Sequence, residues 1–219
     1  MQQVRGALKR PRWTWDFLST PEYRYALVAP EASAESMASF LNAKIDPAFS
    51  WEDARWICEL WPKMVESAGG ASEGASVLLK GVVRPDDARR AVAECGFTGI
   101  WISNHGGRQL ETAPAPIEVL PAIRAAVGRE VPIVLDGGVR RGHHVVKALA
   151  LGADTVAVGR PYLYGLGAGG VNGVRKAMDL LAKEVETTMG LLGVGSVREL
   201  RETGTELVAR RGQLPLSRP

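Results

Sequence analysis

Thr98-Gly-Ile-Trp-Ile-Ser-Asn-His-Gly-Gly-Arg-Gln-Leu110 joins a short apolar run to a dense set of chemically capable side chains. Ile100, Trp101 and Ile102 have the composition of a buried strand bounded by glycines. Ser103, Asn104, His105 and Arg108 follow at once, and Gly106 and Gly107 let the backbone turn sharply and come close to a bound molecule. In isolation His105 would read as an ordinary loop histidine. The same order, apolar run and then polar loop, recurs three more times from Ser76 onward, which argues for a repeated structural unit.

Val77-Leu-Leu79 ends at Lys80-Gly81 and leads to a helix with Pro85 in its first turn, Asp86 and Asp87 near its N-terminus, and Gly96 after its end. The run at Ile100 leads to a helix over roughly Pro116 to Val127. Val131-Pro-Ile-Val-Leu135 ends at Asp136-Gly-Gly-Val-Arg140 and precedes a helix ending near Gly152; Thr155-Val-Ala-Val158 ends at Gly159-Arg160 and precedes helices reaching about Leu192. Near-continuous apolar strands alternating with helices predict an α/β fold with parallel strands covered by helices. The loops after such strands converge on one edge of the sheet, so four polar clusters at strand ends point to one shared site.

The residue types at that edge suggest their chemistry. Asp136, Gly137, Gly138 and Arg140 with Gly159 and Arg160 supply backbone N–H groups and two guanidinium forks, a cradle for a terminal phosphate. Neither a Walker motif nor GxGxxG is present. His105 can accept a proton near neutral pH and Arg108 is shaped to grip a carboxylate, a pair that suits an acid substrate losing a proton. Lys80 adds fixed positive charge where negative charge would develop. His143 and His144, at the start of a helix, read as surface residues without a catalytic role.

Composition sets the outer bounds. The 219 residues are 46% hydrophobic and 23% charged, ordinary values for a chain that buries a real core. A net charge of +3 marks no nucleic-acid binder, although Arg5, Lys9, Arg10 and Arg12 cluster ahead of Trp13, Trp15 and Phe17. That cluster is a solvated arm or a contact with a membrane surface or partner. Cys58 and Cys95 have no metal-site spacing and are expected as reduced thiols. No secretory leader and no long apolar span is evident, so a cytoplasmic protein is expected.

The N-terminal third is less regular. Residues 1–33 read as mostly loop with at most short helical turns, and a helix is plausible over 34–43. A stronger helix starts at Ser50, where Ser50 and Asp53 resemble a capping box, and Pro62 is expected to end or bend it. The resulting division is 1–75 irregular and helical with a Gly-rich loop, 76–200 strand-bearing, and 201–219 a flexible tail.

Ile102-Ser-Asn-His-Gly-Gly-Arg-Gln-Leu110, Leu79-Lys-Gly81, Asp136-Gly-Gly-Val-Arg-Arg-Gly142 and Leu149-Ala-Leu-Gly-Ala-Asp-Thr155 with Gly159-Arg160 resemble the C-terminal half of the FMN-dependent 2-hydroxy-acid dehydrogenase and oxidase family. The likeness is strongest to its (S)-mandelate and L-lactate dehydrogenases. It implies about four βα units of a TIM (β/α)8 barrel and oxidation of an (S)-2-hydroxy acid to the 2-keto acid with FMN as cofactor. It also implies that His105 is the active-site base, Arg108 the substrate-carboxylate arginine, Lys80 the lysine beside the flavin, and Ser103 a residue near it. Asp136, Gly138, Arg140, Gly159 and Arg160 match ribityl and phosphate contacts.

This chain departs from the family pattern in lacking the N-terminal strands, with their tyrosine, second substrate arginine and histidine-orienting aspartate. Glu111 stands where the family commonly has Asp. Residues 1 to about 50 correspond to a region that contacts membrane in some members, which leaves peripheral association open. A homo-oligomer or a complementary N-terminal half is expected as partner. The alternatives are a non-catalytic half-barrel binding FMN or another phosphorylated ligand, and a different FMN barrel enzyme, against which the His105 and Arg108 pair argues.

Overall fold

A computed structural model describes residue 6 and residues 9–20 and 46–208. The chain divides into two units, 1–49 and 50–219. The first contains α1 (Pro11–Ser19), a nine-residue helix with Pro near its start, where the sequence suggested only loop or short turns. Local bonds close it: the Thr14 and Ser19 hydroxyls donate back to the Arg10 and Trp15 carbonyls, and Trp13 stacks on Phe17 one turn away at 5.3 Å. The helix suggested over 34–43 lies outside the described residues.

The second unit begins with α2 (Trp51–Ser67), and the expected capping box is present: the Asp53 N–H donates to Ser50 Oγ and the Ser50 N–H to Asp53 Oδ2. Those bonds to Ser50 hold the Asp53 carboxyl below its ordinary pKa. The helix does not stop at Pro62 but runs five residues further to Ser67. Proline removes one N–H donor and crowds the carbonyl one turn back, yet the helix continues through it. Ala54 is buried and Trp51 and Cys58 pack on the core, so this helix belongs with the sheet-bearing unit rather than with a 1–75 segment.

There follow β1 (Leu78–Val82), α3 (Pro85–Arg90), β2 (Gly99–Ile102), α4 (Pro116–Val127), β3 (Ile133–Leu135), α5 (Gly142–Ala150), β4 (Thr155–Val156), α6 (Arg160–Leu192) and α7 (Val197–Thr203). The strands form one sheet in the order β1-β2-β3-β4. Every pairing is parallel. Side chains alternate across a strand, so Ile100, Ile102, Ile133 and Leu135 share one face. All four are buried with Ala88, Ala91, Leu120, Ile123 and Ala148 from the helices. The opposite face carries Lys80, Trp101, Val134 and Thr155 in register, and these are exposed or half-buried. The described helices thus cover one face of the sheet. The fold is α/β with a parallel sheet, as the alternating pattern required.

Two interhelical seams complete the unit. Gly142, at the start of α5, lies so close to α6 that a Cβ there would stand 2.4 Å from Glu184 Cβ and from the Val185 amide nitrogen. Leu200 of α7 is fully buried with Val146, Leu149 and Ala150 of α5. Because Leu200 anchors α7, the helix passes residue 200 to Thr203 and is followed by a tight turn over Gly204–Glu206, so a flexible tail does not start at 201. Residues 209–219 lie outside the described part.

Backbone cannot yield at the α5–α6 seam as a flexible side chain would. Gly142→Ala is expected to destabilise the chain by about 1–3 kcal/mol, the range for overpacking. A lowered denaturation midpoint in urea, with an unchanged slope, is the signature.

Candidate active site

Each parallel strand delivers its following loop to the same edge, and there the four loops meet. β1 ends in a bulge: the register shifts between Lys80 and Val82, with Gly81 at φ +97°. The bulge brings Lys80 toward its neighbours, and its Nζ donates to Ser103 Oγ at 3.1 Å and pairs with Asp136 Oδ2 at 3.3 Å. Ser103 in turn donates to Asp136 Oδ1 at 2.7 Å and accepts from the His105 N–H at 3.1 Å. Trp101 Nε1 donates to Asp136 Oδ2 at 2.8 Å, and Lys80 Nζ lies 5.4 Å from the centre of the indole ring. Three strand ends are therefore tied together by one hydroxyl and one carboxylate.

His105 stands in the left-handed region at φ 55°, unusual for a residue with a side chain. Asn104 holds the turn by accepting from the Gly107 N–H at 3.2 Å while its own amide donates to the Pro114 carbonyl. The imidazole sits over Gly81, where an added Cβ would stand 3.0 Å from His105 Cε1. Arg108 closes the same turn, exposed and with no partner for its guanidinium among the described residues.

The loops after β3 and β4 complete the edge. Gly137 and Gly138 both have positive φ, 101° and 76°, and their amides make no hydrogen bond among the described residues. Successive free N–H groups of this kind form a concavity for anions. A Cβ at Gly137 would meet Pro116 Cγ at 2.8 Å, whereas Gly138 faces open space. Gly159 caps α6, and Arg160 reaches across to donate to the Gly106 carbonyl at 3.0 Å, joining the fourth loop to the second. Arg140 has an exposed side chain.

Two contributors escaped the sequence reading. Trp101 was grouped with the buried strand, but its place between the buried Ile100 and Ile102 puts it on the other face, beside Lys80; strand parity was the available signal. His144 is half-buried, and its Nδ1 accepts from the Arg140 N–H at 3.1 Å, holding the end of the Gly137–Gly138 loop. Burial depresses its pKa first, with the charges of His143, Lys147 and Arg141 adding to the effect and Glu184 opposing it. Glu184 accepts from the Gly142 N–H at 2.7 Å and pairs with Arg141 at 2.8 Å; the backbone bond first, and then Arg141, hold its carboxyl below the ordinary range. No sequence signal separates His144 from His143.

Among the described residues the edge presents an imidazole, an unpaired guanidinium, an ammonium beside a carboxylate, and a glycine loop with unpaired amides. Such a set can bind a phosphate, hold a carboxylate and move a proton. Among the described residues no group of His, Cys, Asp and Glu could hold a metal ion, and no helix is long and apolar enough to cross a membrane.

A family model described as FMN-dependent dehydrogenase matches residues 1–207. Pre-mycofactocin synthase of Mycobacterium tuberculosis is 42% identical over 199 residues, covering 89% of this chain and 47% of the relative. L-lactate dehydrogenase of Caulobacter vibrioides is 39% identical over 205 residues, 91% of this chain and 50% of the relative. The crystal structure of the monotopic membrane protein (S)-mandelate dehydrogenase superposes with a TM-score of 0.77 at 37% identity, over 90% of this chain and 49% of that one. The chain thus spans about half the length of the relatives it matches.

Two measurements probe this edge. Ser103→Ala removes a buried group that makes three bonds, and a loss of about 1–3 kcal/mol in urea denaturation is expected. His144 binds fewer protons folded than unfolded, so its effect on stability is absent well above pH 6.5 and destabilisation grows as pH falls from 6.5 toward the depressed folded value. His144→Asn keeps an acceptor near the Nδ1 position and cannot titrate. Between pH 7.5 and 5.5 its melting temperature should fall less than that of the parent.

Proposed function

The chain belongs to the FMN-dependent dehydrogenase family, and from that premise we propose that it forms the flavin-binding half of a (β/α)8 barrel that oxidises an (S)-2-hydroxy acid to the 2-keto acid. The observation that carries this reading is the convergence of Lys80, Ser103, His105, Asp136 and Arg160 from four loops onto one edge. The residues fit the cofactor. Gly138 has open space and an unpaired amide where a ligand can approach, and Arg140 and the remaining N–H groups of Arg160 offer forks for its phosphate. Bound FMN would accept the two electrons of the oxidation.

The chain's own residues do the rest. Arg108, unpaired among the described residues, grips the substrate carboxylate through two parallel N–H bonds. That grip fixes the 2-hydroxyl near His105, whose imidazole takes the hydroxyl proton. Asp136 and Ser103 hold Lys80 in place, so its ammonium stands ready where negative charge gathers on the reduced cofactor. The strained turn at His105 keeps the imidazole over Gly81.

The bare sheet face with Lys80 and Trp101 would be completed by opposing strands, from a complementary half or a second copy. A peripheral membrane contact suits α1, whose Trp15, Phe17 and Leu18 are each more than 60% exposed beside Arg10 and Arg12.

In an assembly with an N-terminal half, His105→Gln should lower kcat by about 10²–10⁴-fold while the flavin absorbance stays, the range for losing a general base. Arg108→Met should raise KM and lower kcat together. Arg160→Ala should weaken FMN binding in a fluorescence titration. The assay uses (S)-mandelate and L-lactate with an artificial electron acceptor. Full turnover by the His105 variant would reject the assignment, and flavin retained without turnover by the parent would identify a binding-only half-barrel.

A further inference from the structure

Trp101 stands opposite Lys80 in the β1–β2 register, on the bare face of the sheet, while its strand neighbours Ile100 and Ile102 are buried on the other face. It is half-buried there. Its indole meets the strand-end network twice. Nε1 donates to Asp136 Oδ2 at 2.8 Å, and the Lys80 ammonium lies over the ring, 5.4 Å from its centre, close enough to be drawn to an aromatic face. An aliphatic side chain would suit the strand equally well and could make neither contact.

The two contacts bear on what Lys80 can do. Asp136 Oδ2 serves both Trp101 and Lys80, and the indole is the nearer, at 2.8 Å against 3.3 Å. Oδ1 is taken by Ser103 at 2.7 Å. Both oxygens are thus fixed by groups other than the lysine, which restrains the carboxylate from turning further toward the ammonium. Lys80 has three N–H donors, of which Ser103 takes one and Asp136 faces a second; the third has no partner among the described residues. A four-carbon stem held by two polar contacts can still swing. The indole ring backs the ammonium from the sheet side and leaves the third N–H for a ligand.

We propose that Trp101 is a positioning residue for Lys80: its N–H keeps Asp136 from closing on the ammonium, and its ring keeps the ammonium turned toward the ligand of this edge. The proposal rests on the flavin reading of that ligand. There the lysine charge favours the reduced over the oxidised cofactor, and Trp101 sets the size of that preference through Lys80. Without the indole, Asp136 turns toward Lys80 and the ammonium loses its backing. Both changes weaken the positive field at the ligand, so they act with the same sign.

The test has two arms on the 219-residue chain. Without flavin, 15N-lysine labelling follows the Lys80 ammonium, assigned by its absence in Lys80→Met; a held ammonium exchanges its protons with water more slowly than a solvated one. Trp101→Leu, which loses both N–H and ring, should exchange faster than the parent, and Trp101→Phe, which keeps a ring, should fall between them. With FMN bound, Trp101→Leu should shift the ratio of reduced to oxidised flavin about tenfold toward the oxidised form, a midpoint about 30 mV lower for a two-electron couple. That shift should vanish in a Lys80→Met background, since Trp101 acts through the lysine. Unchanged Lys80 exchange in Trp101→Leu, or an unmoved midpoint in a chain that holds FMN, would overturn the proposal. So would an equal shift with and without Lys80, the result a merely structural role would give. A parent chain that holds no FMN would sink the flavin reading itself, and the exchange arm then decides whether Trp101 positions Lys80.

Discussion

The Ser103 hydroxyl is the knot on which the functional edge depends. A hydroxyl has one proton to give and two lone pairs to accept with, and all three are used, toward Asp136, Lys80 and the His105 amide. It is also buried, at 1% exposure, so water cannot replace a lost partner. Three strands separated by long stretches of chain are thereby held in one relative position at their ends. Asp136 repeats the logic with two oxygens, taking Trp101 and Lys80 on one and Ser103 on the other. Lys80, 41% exposed in its side chain, is held in place by the neighbouring carboxylate and hydroxyl.

That arrangement needs a sheet whose two faces differ. One face is packed by helices through Ile100, Ile102, Ile133 and Leu135, which anchors the strands. The other face leaves Lys80 and Trp101 accessible, and so carries the polar work. The two ends of the strands differ as well. At the carboxyl end the Gly137 and Gly138 amides make no hydrogen bond among the described residues, while at the amino end Asp154 ties Arg124, Arg201 and the Ile133 amide into a closed lattice. Backbone amides left free can meet a ligand.

Support for the site extends into the helices behind it. His144 holds the Arg140 amide, and Glu184 of α6 reaches the first turn of α5 through Gly142 and Arg141. The Gly137–Gly138 loop is therefore anchored by α5, and α5 by α6, at a seam that only a glycine allows. Membership in the FMN-dependent dehydrogenase family gives this scaffold its chemical context, over a chain about half as long as its relatives.

What the sequence by itself determined was local. The helix over Pro116–Val127, the Ser50–Asp53 cap, Gly96 closing the turn after α3, and four parallel strands ending in polar loops all follow from the spacing of apolar residues and the chemistry of turns. The edge residues Lys80, Ser103, His105, Asp136 and Arg160 were legible as a group because parallel strands send their loops to one side. Tertiary structure alone decided the rest. α2 continues through Pro62 while Trp51, Ala54 and Cys58 pack it on the core, and α7 outlasts residue 200 because Leu200 finds a slot on α5. Trp101 faces Asp136 through strand register, and His144 rather than His143 meets the Arg140 amide through the angle at which α5 leaves its loop. The hydrogen-bonded partners are 4 residues apart for His144 and Arg140 and 35 for Trp101 and Asp136. A sequence pattern reports which face a residue takes on its own element; which groups meet across elements depends on register and close packing, which no local spacing encodes.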